Sequence, residues 1–252
     1  MDRKTSAICL TGGKDSMFAY YLTKHRARAK EIYQFSSLPE ENILYAVSFG
    51  PCVRHHVNPF KAHNLHVIKA ISKSVGLQYI YCEIPDRQYE KGYEDSILSI
   101  KKAYGIESLV TGDIDLVNGY PNYISERSKQ VGMKVHLPLW NIDRDHFIRI
   151  LLEEGFYVYF TLVKSPWFDV SWVGQRLTYA KLDEMKTIPN LDLCGENGEY
   201  HTMVLDSPDF VCALGLKGSV KEEKKNCGQM WWYLDITDVI EEIPKGNSFI
   251  EI

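Results

Sequence analysis

Leu10-Thr11-Gly12-Gly13-Lys14-Asp15-Ser16 stands between a short apolar run, Ser6 to Leu10, and a segment that Met17, Tyr20 and Tyr21 begin to pattern as a helix. Two glycines let the backbone turn tightly and leave amide hydrogens uncovered, and the helix start adds unpaired N–H groups and a partial positive charge. Such a turn suits an anion, and a phosphate above all. Lys14 reads as an open cationic side chain inside the turn, able to neutralise phosphate charge. Asp15 can hold Mg²⁺ through oxygen, and Thr11 and Ser16 offer hydroxyls to phosphate oxygens. A plain Gly-Gly turn with Asp15 or Ser16 as helix caps is the alternative; the strand before, the helix after and the lysine within favour the cradle. A kinase-type loop is excluded, because Ile8 and Asp15 stand where a Walker A motif needs glycine and a hydroxyl residue. No Gly-x-Gly-x-x-Gly dinucleotide turn is present either.

Outward from this turn, the first half repeats a short apolar run, a turn and a helix-period segment, the pattern of βα units around a parallel sheet. Ser6 to Leu10, Ile43 to Phe49, Gln78 to Ile84 and Ser108 to Thr111 read as strands buried on both faces. Val67, Ile71 and Val75 mark one apolar helix face, and Tyr93, Ile97, Ile100 and Tyr104 another. Past Pro138-Leu139-Trp140 the rhythm changes to a helix from Asp143 to Glu153, a strand from Tyr157 to Leu162 and then irregular chain rich in Pro, Trp and Gly. The expected fold is therefore α/β: an open, mostly parallel sheet over residues 1–139 and a smaller C-terminal α+β domain over residues 140–252. Trp167, Trp172, Trp231 and Trp232 are expected to close the core of the smaller domain. The Lys221-Glu222-Glu223-Lys224-Lys225 run before the Met230 to Ile236 strand reads as a solvated loop or hairpin tip.

The 252 residues are 45% hydrophobic and 25% charged, which excludes disordered, collagen-like and coiled-coil chains. A formal charge of -4 gives no pull toward phosphate backbones or anionic lipid, so a general nucleic-acid binder is not expected. The six cysteines, 9, 52, 82, 194, 212 and 227, form no Cys-x-x-Cys pair for zinc or redox chemistry. His55, His56, His63 and His66 lack a carboxylate or cysteine that would complete a ligand set, and read as solvated loop histidines, His63 or His66 within reach of a nucleotide. No signal h-region and no apolar run long enough for a membrane span appear, so a cytoplasmic protein is expected.

Later stretches carry further chemistry. Gly112-Asp113-Ile114 ends the fourth strand, where ligands bind in open α/β folds. Cys194-Gly195-Glu196-Asn197-Gly198-Glu199-Tyr200-His201-Thr202 packs two carboxylates, an amide, a phenol and an imidazole into one glycine-hinged segment. The heptapeptide at position 10 resembles the Ser-Gly-Gly-x-Asp-Ser pyrophosphate loop, or PP-loop, of the ATP pyrophosphatases, with Thr11 for the first serine. Together with Gly-Asp-Ile, Pro-Leu-Trp and Gly-Glu-Asn-Gly-Glu-Tyr-His-Thr it resembles the diphthine-ammonia ligase family, over the chain from the first strand to about Asp209. Ser125 and Ser128 stand where that family offers a glutamate and, three residues on, a cysteine, with Glu126 shifted by one.

The resemblance implies a Rossmann-like nucleotide-binding domain, ATP and Mg²⁺ as cofactors, and an ATP-dependent amidation. The carboxylate of diphthine, a modified histidine on elongation factor 2, would be adenylated and then attacked by ammonia, releasing AMP and pyrophosphate. Amidation or thiolation of another substrate, a small metabolite or a tRNA, uses the same ATP cleavage and is the alternative. Thr11, Gly12, Gly13, Lys14, Asp15, Ser16, Ser48, Gly112 and Asp113 would hold the nucleotide, with Asp15 on the metal and Asp113 on a second metal or the ribose. Ser48-Phe49 would meet the adenine. Lys14 and Asp15 would act on the leaving pyrophosphate. Glu196, Glu199 or His201 would take a proton from ammonium; Glu199 is also a candidate for binding the ammonium ion itself. Asn197, Tyr200 and Glu126 would address the acyl substrate.

Overall fold

The computed structural model describes residues 5–32, 38, 42–51, 63–116 and 119–252; Cys52, His55, His56, Val117 and Asn118 lie outside them. In chain order the strands are β1 (Thr5–Cys9), β2 (Asn42–Pro51), β3 (Gln78–Ile84), β4 (Ile106–Val110), β5 (Lys134–His136), β6 (Tyr157–Lys164), β7 (Tyr200–Asp206), β8 (Ala213–Lys224), β9 (Met230–Ile243) and β10 (Phe249–Glu251). The α-helices are α1 (Lys14–Lys24), α2 (Arg26–Ile32), α3 (Leu65–Ser74), α4 (Tyr89–Tyr104), α5 (Tyr123–Gln130), α6 (Arg144–Glu153) and α7 (Tyr179–Lys186). Two compact units result. One draws its described residues from Met1–Thr11, Asp15–Pro59 and Gly76–Asn141, the other from Gly12–Lys14, Phe60–Val75 and Ile142–Ile252.

The first unit is built on a five-stranded sheet of order β3-β2-β1-β4-β5, with every neighbouring pair parallel. Its central strands are apolar because both of their faces are covered. Ala7, Val47 and Leu109 join Ile97 and Ile100 of α4, Met133 and Ile106 in one buried cluster. The four-three spacing of Tyr93, Ile97 and Ile100 is thus the sheet-facing stripe of α4, which ends at Gly105 in the left-handed region (φ 66°) with its N–H on the Lys101 carbonyl. Tyr104, expected on the same stripe, is 38% exposed and meets the Tyr45 ring at 5.2 Å. Strand order reverses between β1, whose crossover leads to β2 on one side, and β4 on the other. That reversal falls at the carboxyl ends of β1 and β4, the usual ligand position in doubly wound sheets.

The second unit carries a mixed sheet of order β10-β8-β9-β6-β7, in which only β10 and β8 run parallel. The expected helix from Asp143 begins one residue later, because Asp143 is its cap and accepts from the His146 amide at 2.9 Å. The charged run at 221–225 is mostly strand rather than loop: β8 continues to Lys224, and the turn follows, closed by the Lys225 N–H on the Gln229 carbonyl. Of the four tryptophans expected in the core, only Trp172 is buried, edge-on to Phe160 at 5.3 Å and Phe168 at 4.8 Å. Trp231 instead holds Lys164 and Lys225 against its ring, at 4.1 and 4.2 Å. No helix among the described residues is long and apolar enough to cross a membrane.

Candidate active site

In the first unit, the segment that leaves β1 meets the segment that leaves β4. Thr11 donates its N–H to Ser16 Oγ at 3.3 Å, and the two hydroxyls lie 3.1 Å apart, which closes the turn before α1. Ser48 Oγ–H donates to the Leu10 carbonyl at 2.6 Å, so its hydroxyl braces the end of β1. A Cβ on Gly112 would fall 2.4–2.6 Å from backbone atoms of Asp15 and Ser16. Glycine at 112 therefore has a packing cause of its own, the close approach of the two segments. Asp113 follows at once, half-buried and within electrostatic reach of Cys9, whose buried thiol is pushed far up, first by burial and then by that carboxylate. Thr11 is exposed and Asp15 half-buried.

The middle of the heptapeptide belongs to the second unit. The Gly12 carbonyl accepts from the Val204 amide at 2.9 Å, and the Lys14 amide donates to Thr202 Oγ1 at 3.3 Å, so residues 12–14 lie along β7. Gly12 has φ 78°, and a Cβ there would stand 2.8 Å from Met203 Sδ. Lys14 is only 2% exposed: its ammonium donates to the Cys194 carbonyl at 2.5 Å and lies 5.1 Å from the Tyr200 ring centre. The expected open cation is thus a buried one, tied to the glycine-hinged segment.

That segment holds itself together in the same way. Gly195 and Gly198 take φ 75° and 78°, which only glycine adopts without strain. Glu199, 1% exposed, accepts from the Asp192 amide (3.3 Å), the Asn197 amide (3.1 Å) and Asn197 Nδ2 (3.2 Å). Asp192 in turn accepts from the Cys194 amide at 2.8 Å and pairs with Arg144 at 3.4 Å. Tyr200 is buried and donates its hydroxyl to the Leu193 carbonyl at 2.6 Å. Glu199, Asn197 and Tyr200 therefore shape the loop, while Glu196 stays half-buried.

His201, on β7, packs on most sides and meets His63 edge-on at 5.2 Å. Burial, followed by His63, Lys164 and Lys14, lowers the imidazolium to about 3, so the ring is uncharged at neutral pH. His63 is accordingly no solvated loop histidine, whereas His66 is exposed. Burial and Lys225 also lower Lys164, against Glu199, which raises it. Sequence reasoning missed Lys164, Asp192 and Arg144. The Asp-x-x-Gly spacing of Asp192 and Gly195 was the one available signal, a side-chain-capped turn. In the first unit Glu126, on α5, is engaged by Lys129, which lowers its carboxyl. Among the described residues no three His, Cys, Asp or Glu side chains gather as metal ligands.

Residues 143–241, which include α6, β7 and the whole glycine-hinged segment, match the family model of the diphthamide synthase C-terminal domain. A search of curated proteins gives no match. The diphthamide synthase match falls on the part of the chain that binds Lys14, and it spans every residue that braces Glu199.

Proposed function

We propose that this protein adenylates the carboxylate of diphthine on elongation factor 2 and transfers ammonia to it, giving diphthamide, AMP and pyrophosphate. What supports this reading is one juxtaposition: the PP-loop-like turn and Gly112-Asp113 meet at the strand-order reversal of a parallel sheet, in a chain whose other half matches a diphthamide synthase domain.

ATP and Mg²⁺ fit the residues present: a helix start with hydroxyls at Thr11 and Ser16, and two half-buried carboxylates, Asp15 and Asp113, for an oxygen-seeking ion. Mg²⁺ would neutralise charge on the departing pyrophosphate. A substrate carboxylate oxygen attacks the α-phosphorus of ATP and pyrophosphate leaves; ammonia nitrogen then attacks the acyl carbon and AMP leaves. The proton shed by ammonium needs an acceptor. Glu199 is ill placed for this role, since its oxygens are buried under three N–H donors. His201 is ill suited too, because a conjugate acid near 3 cannot keep a proton taken from ammonium. We therefore assign the role to Glu196. Lys14 ties residues 12–14 to the signature segment within the second unit.

The test is to incubate the protein with ATP, Mg²⁺, ammonium and elongation factor 2 carrying diphthine, and to follow AMP and the amidated product together. Both are expected, and Glu196→Gln should lower product at least about 100-fold if it is the acceptor. ADP in place of AMP would overturn the reading. AMP without amidated factor would transfer it to another acyl substrate.

A further inference from the structure

The end of β6 carries a cation that the reaction above does not use. Lys164 stands opposite Trp231 of β9, and Trp231 stands opposite Glu223 of β8, so the three side chains share one face of the mixed sheet as cross-strand neighbours. The Lys164 ammonium lies 4.1 Å from the centre of the Trp231 ring. The glycine-hinged segment adjoins it as well. The Lys164 amide donates to the Glu199 carbonyl at 3.0 Å, and a Cβ on Gly198 would fall 3.0 Å from Lys164 Nζ. The ammonium is therefore held against the signature segment at a point where residue 198 has no side chain to displace it. Lys14, the cation expected to be open, is buried on a carbonyl, whereas Lys164 is only half-buried.

Among the described residues no hydrogen bond or ion pair ends on Lys164 Nζ. A second ammonium, that of Lys225, lies 4.2 Å from the same ring centre and is held by Glu223 at 2.6 Å. Glu199 is within electrostatic reach of Lys164, but its oxygens already accept from the Asp192 and Asn197 amides and from Asn197 Nδ2. Burial and Lys225 outweigh Glu199, so the Lys164 ammonium is held below its ordinary range. It is short of negative charge. The Trp231 indole attracts it without accepting its three N–H groups as an oxygen would, and the indole N–H is itself committed to Gln229 Oε1 at 2.8 Å. An oxyanion would supply both the charge and the acceptors, through charge-assisted hydrogen bonds. A cation would be repelled by the two ammonium groups.

We propose that Lys164, with Lys225 at the same indole, binds an oxyanion beside Gly198. Its two sources are a phosphate and a carboxylate. That the nucleotide or the acyl substrate supplies it rests on the ligase reading; the binding itself does not. The test uses the intact protein without ATP. Two-dimensional NMR would follow the Trp231 indole N–H, assigned through Trp231→Phe, during titration with inorganic phosphate, with acetate and with chloride at matched ionic strength. A saturable shift is expected with phosphate or acetate and none with chloride, and the anion that saturates at the lower concentration identifies the source. Lys164→Gln keeps much of the stem and removes the charge, and should weaken that binding at least about 5-fold. It also separates this binding from any at the PP-loop-like turn. Lys225→Gln should weaken it only about 2-fold, since Glu223 already engages that ammonium. Lys164→Arg should retain it. Loss of the ligase reading would leave this binding intact, and loss of this binding would leave AMP formation standing. No saturable shift with either oxyanion, a chloride shift of the same size, or undiminished binding in Lys164→Gln would overturn the proposal.

Discussion

His201 shows how the site's charge balance is set one side chain at a time. Its ring lies among His63, Lys164 and Lys14, so a proton on it would join other positive groups and lose water as well. With the folded value near 3 and the ordinary value 6.5, the unfolded chain binds this proton first as pH falls. The stabilising contribution is therefore fully present above about 6.5 and is lost as pH drops toward 3, at up to about 1.4 kcal/mol per pH unit for one group. Replacing the ring removes that slope. Urea midpoints measured between pH 7 and pH 4.5 should fall less steeply for His201→Asn than for the wild type, and parallel curves would disprove the burial argument. The same reasoning separates residue types from roles in the signature segment. A carboxylate, an amide and a phenol together suggest chemistry, yet Glu199, Asn197 and Tyr200 spend their polar atoms on the loop itself. Composition reveals that such a loop exists; only the direction of each hydrogen bond tells which groups hold it together.

At the scale of elements, the meeting of the segments after β1 and β4 hangs on the missing side chain of Gly112. Gly112→Ala would drive a methyl into the Asp15 and Ser16 backbone, which has no flexible end to yield. A loss of about 3 kcal/mol or more is expected, above the usual range for overpacking against side chains. Gly105→Ala is the control. That position has φ 66° but open space around it, so its cost is about 1 kcal/mol, from backbone strain alone. Chemical denaturation of both variants checks this, and comparable losses would show that the segments can move apart. Much of this unit was legible in the sequence: β1, β4 and the middle of β2 are buried parallel strands, which read as apolar runs, whereas β3, expected to be buried on both faces, is the edge strand and only part-buried. β5 was not legible, because Lys-Val-His is short, pairs with β4 alone and alternates polar with apolar. The end of β8 was misread for a related reason. Lys221, Glu222, Glu223 and Lys224 extend as a hairpin arm paired only to β9, where charge is no obstacle to a strand. Trp231 and Trp232 likewise belong to the paired arm of β9, where they remain half-exposed.

Across the whole molecule, sequence order and spatial grouping part company. The matched domain covers residues 143–241, and a cut at 139/140 separates the halves in sequence, yet the second unit also takes in α3 and residues 12–14. α3 packs on β8 and β9, its Ser74 hydroxyl donating to the Cys212 carbonyl at 2.8 Å and the Val211 amide to the Ser74 carbonyl at 2.9 Å. Val67, Ile68 and Ile71 on its inner face are buried. Each such side chain contributes about 1.5–3 kcal/mol on burial, an upper bound given a partly compact unfolded chain. Three together rival the whole stability of a domain, about 5–15 kcal/mol. A fragment of residues 142–252, though it contains the entire mixed sheet, should therefore melt without a sharp transition and bind a hydrophobic dye at 25 °C. The intact chain should do neither. Restoring α3 through a linker ahead of Ile142 should recover cooperative melting, since the linker returns the missing face and adds nothing else. A bare fragment that unfolds sharply and ignores the dye would mean that the mixed sheet is stable without α3, and that burial of Val67, Ile68 and Ile71 is dispensable to it.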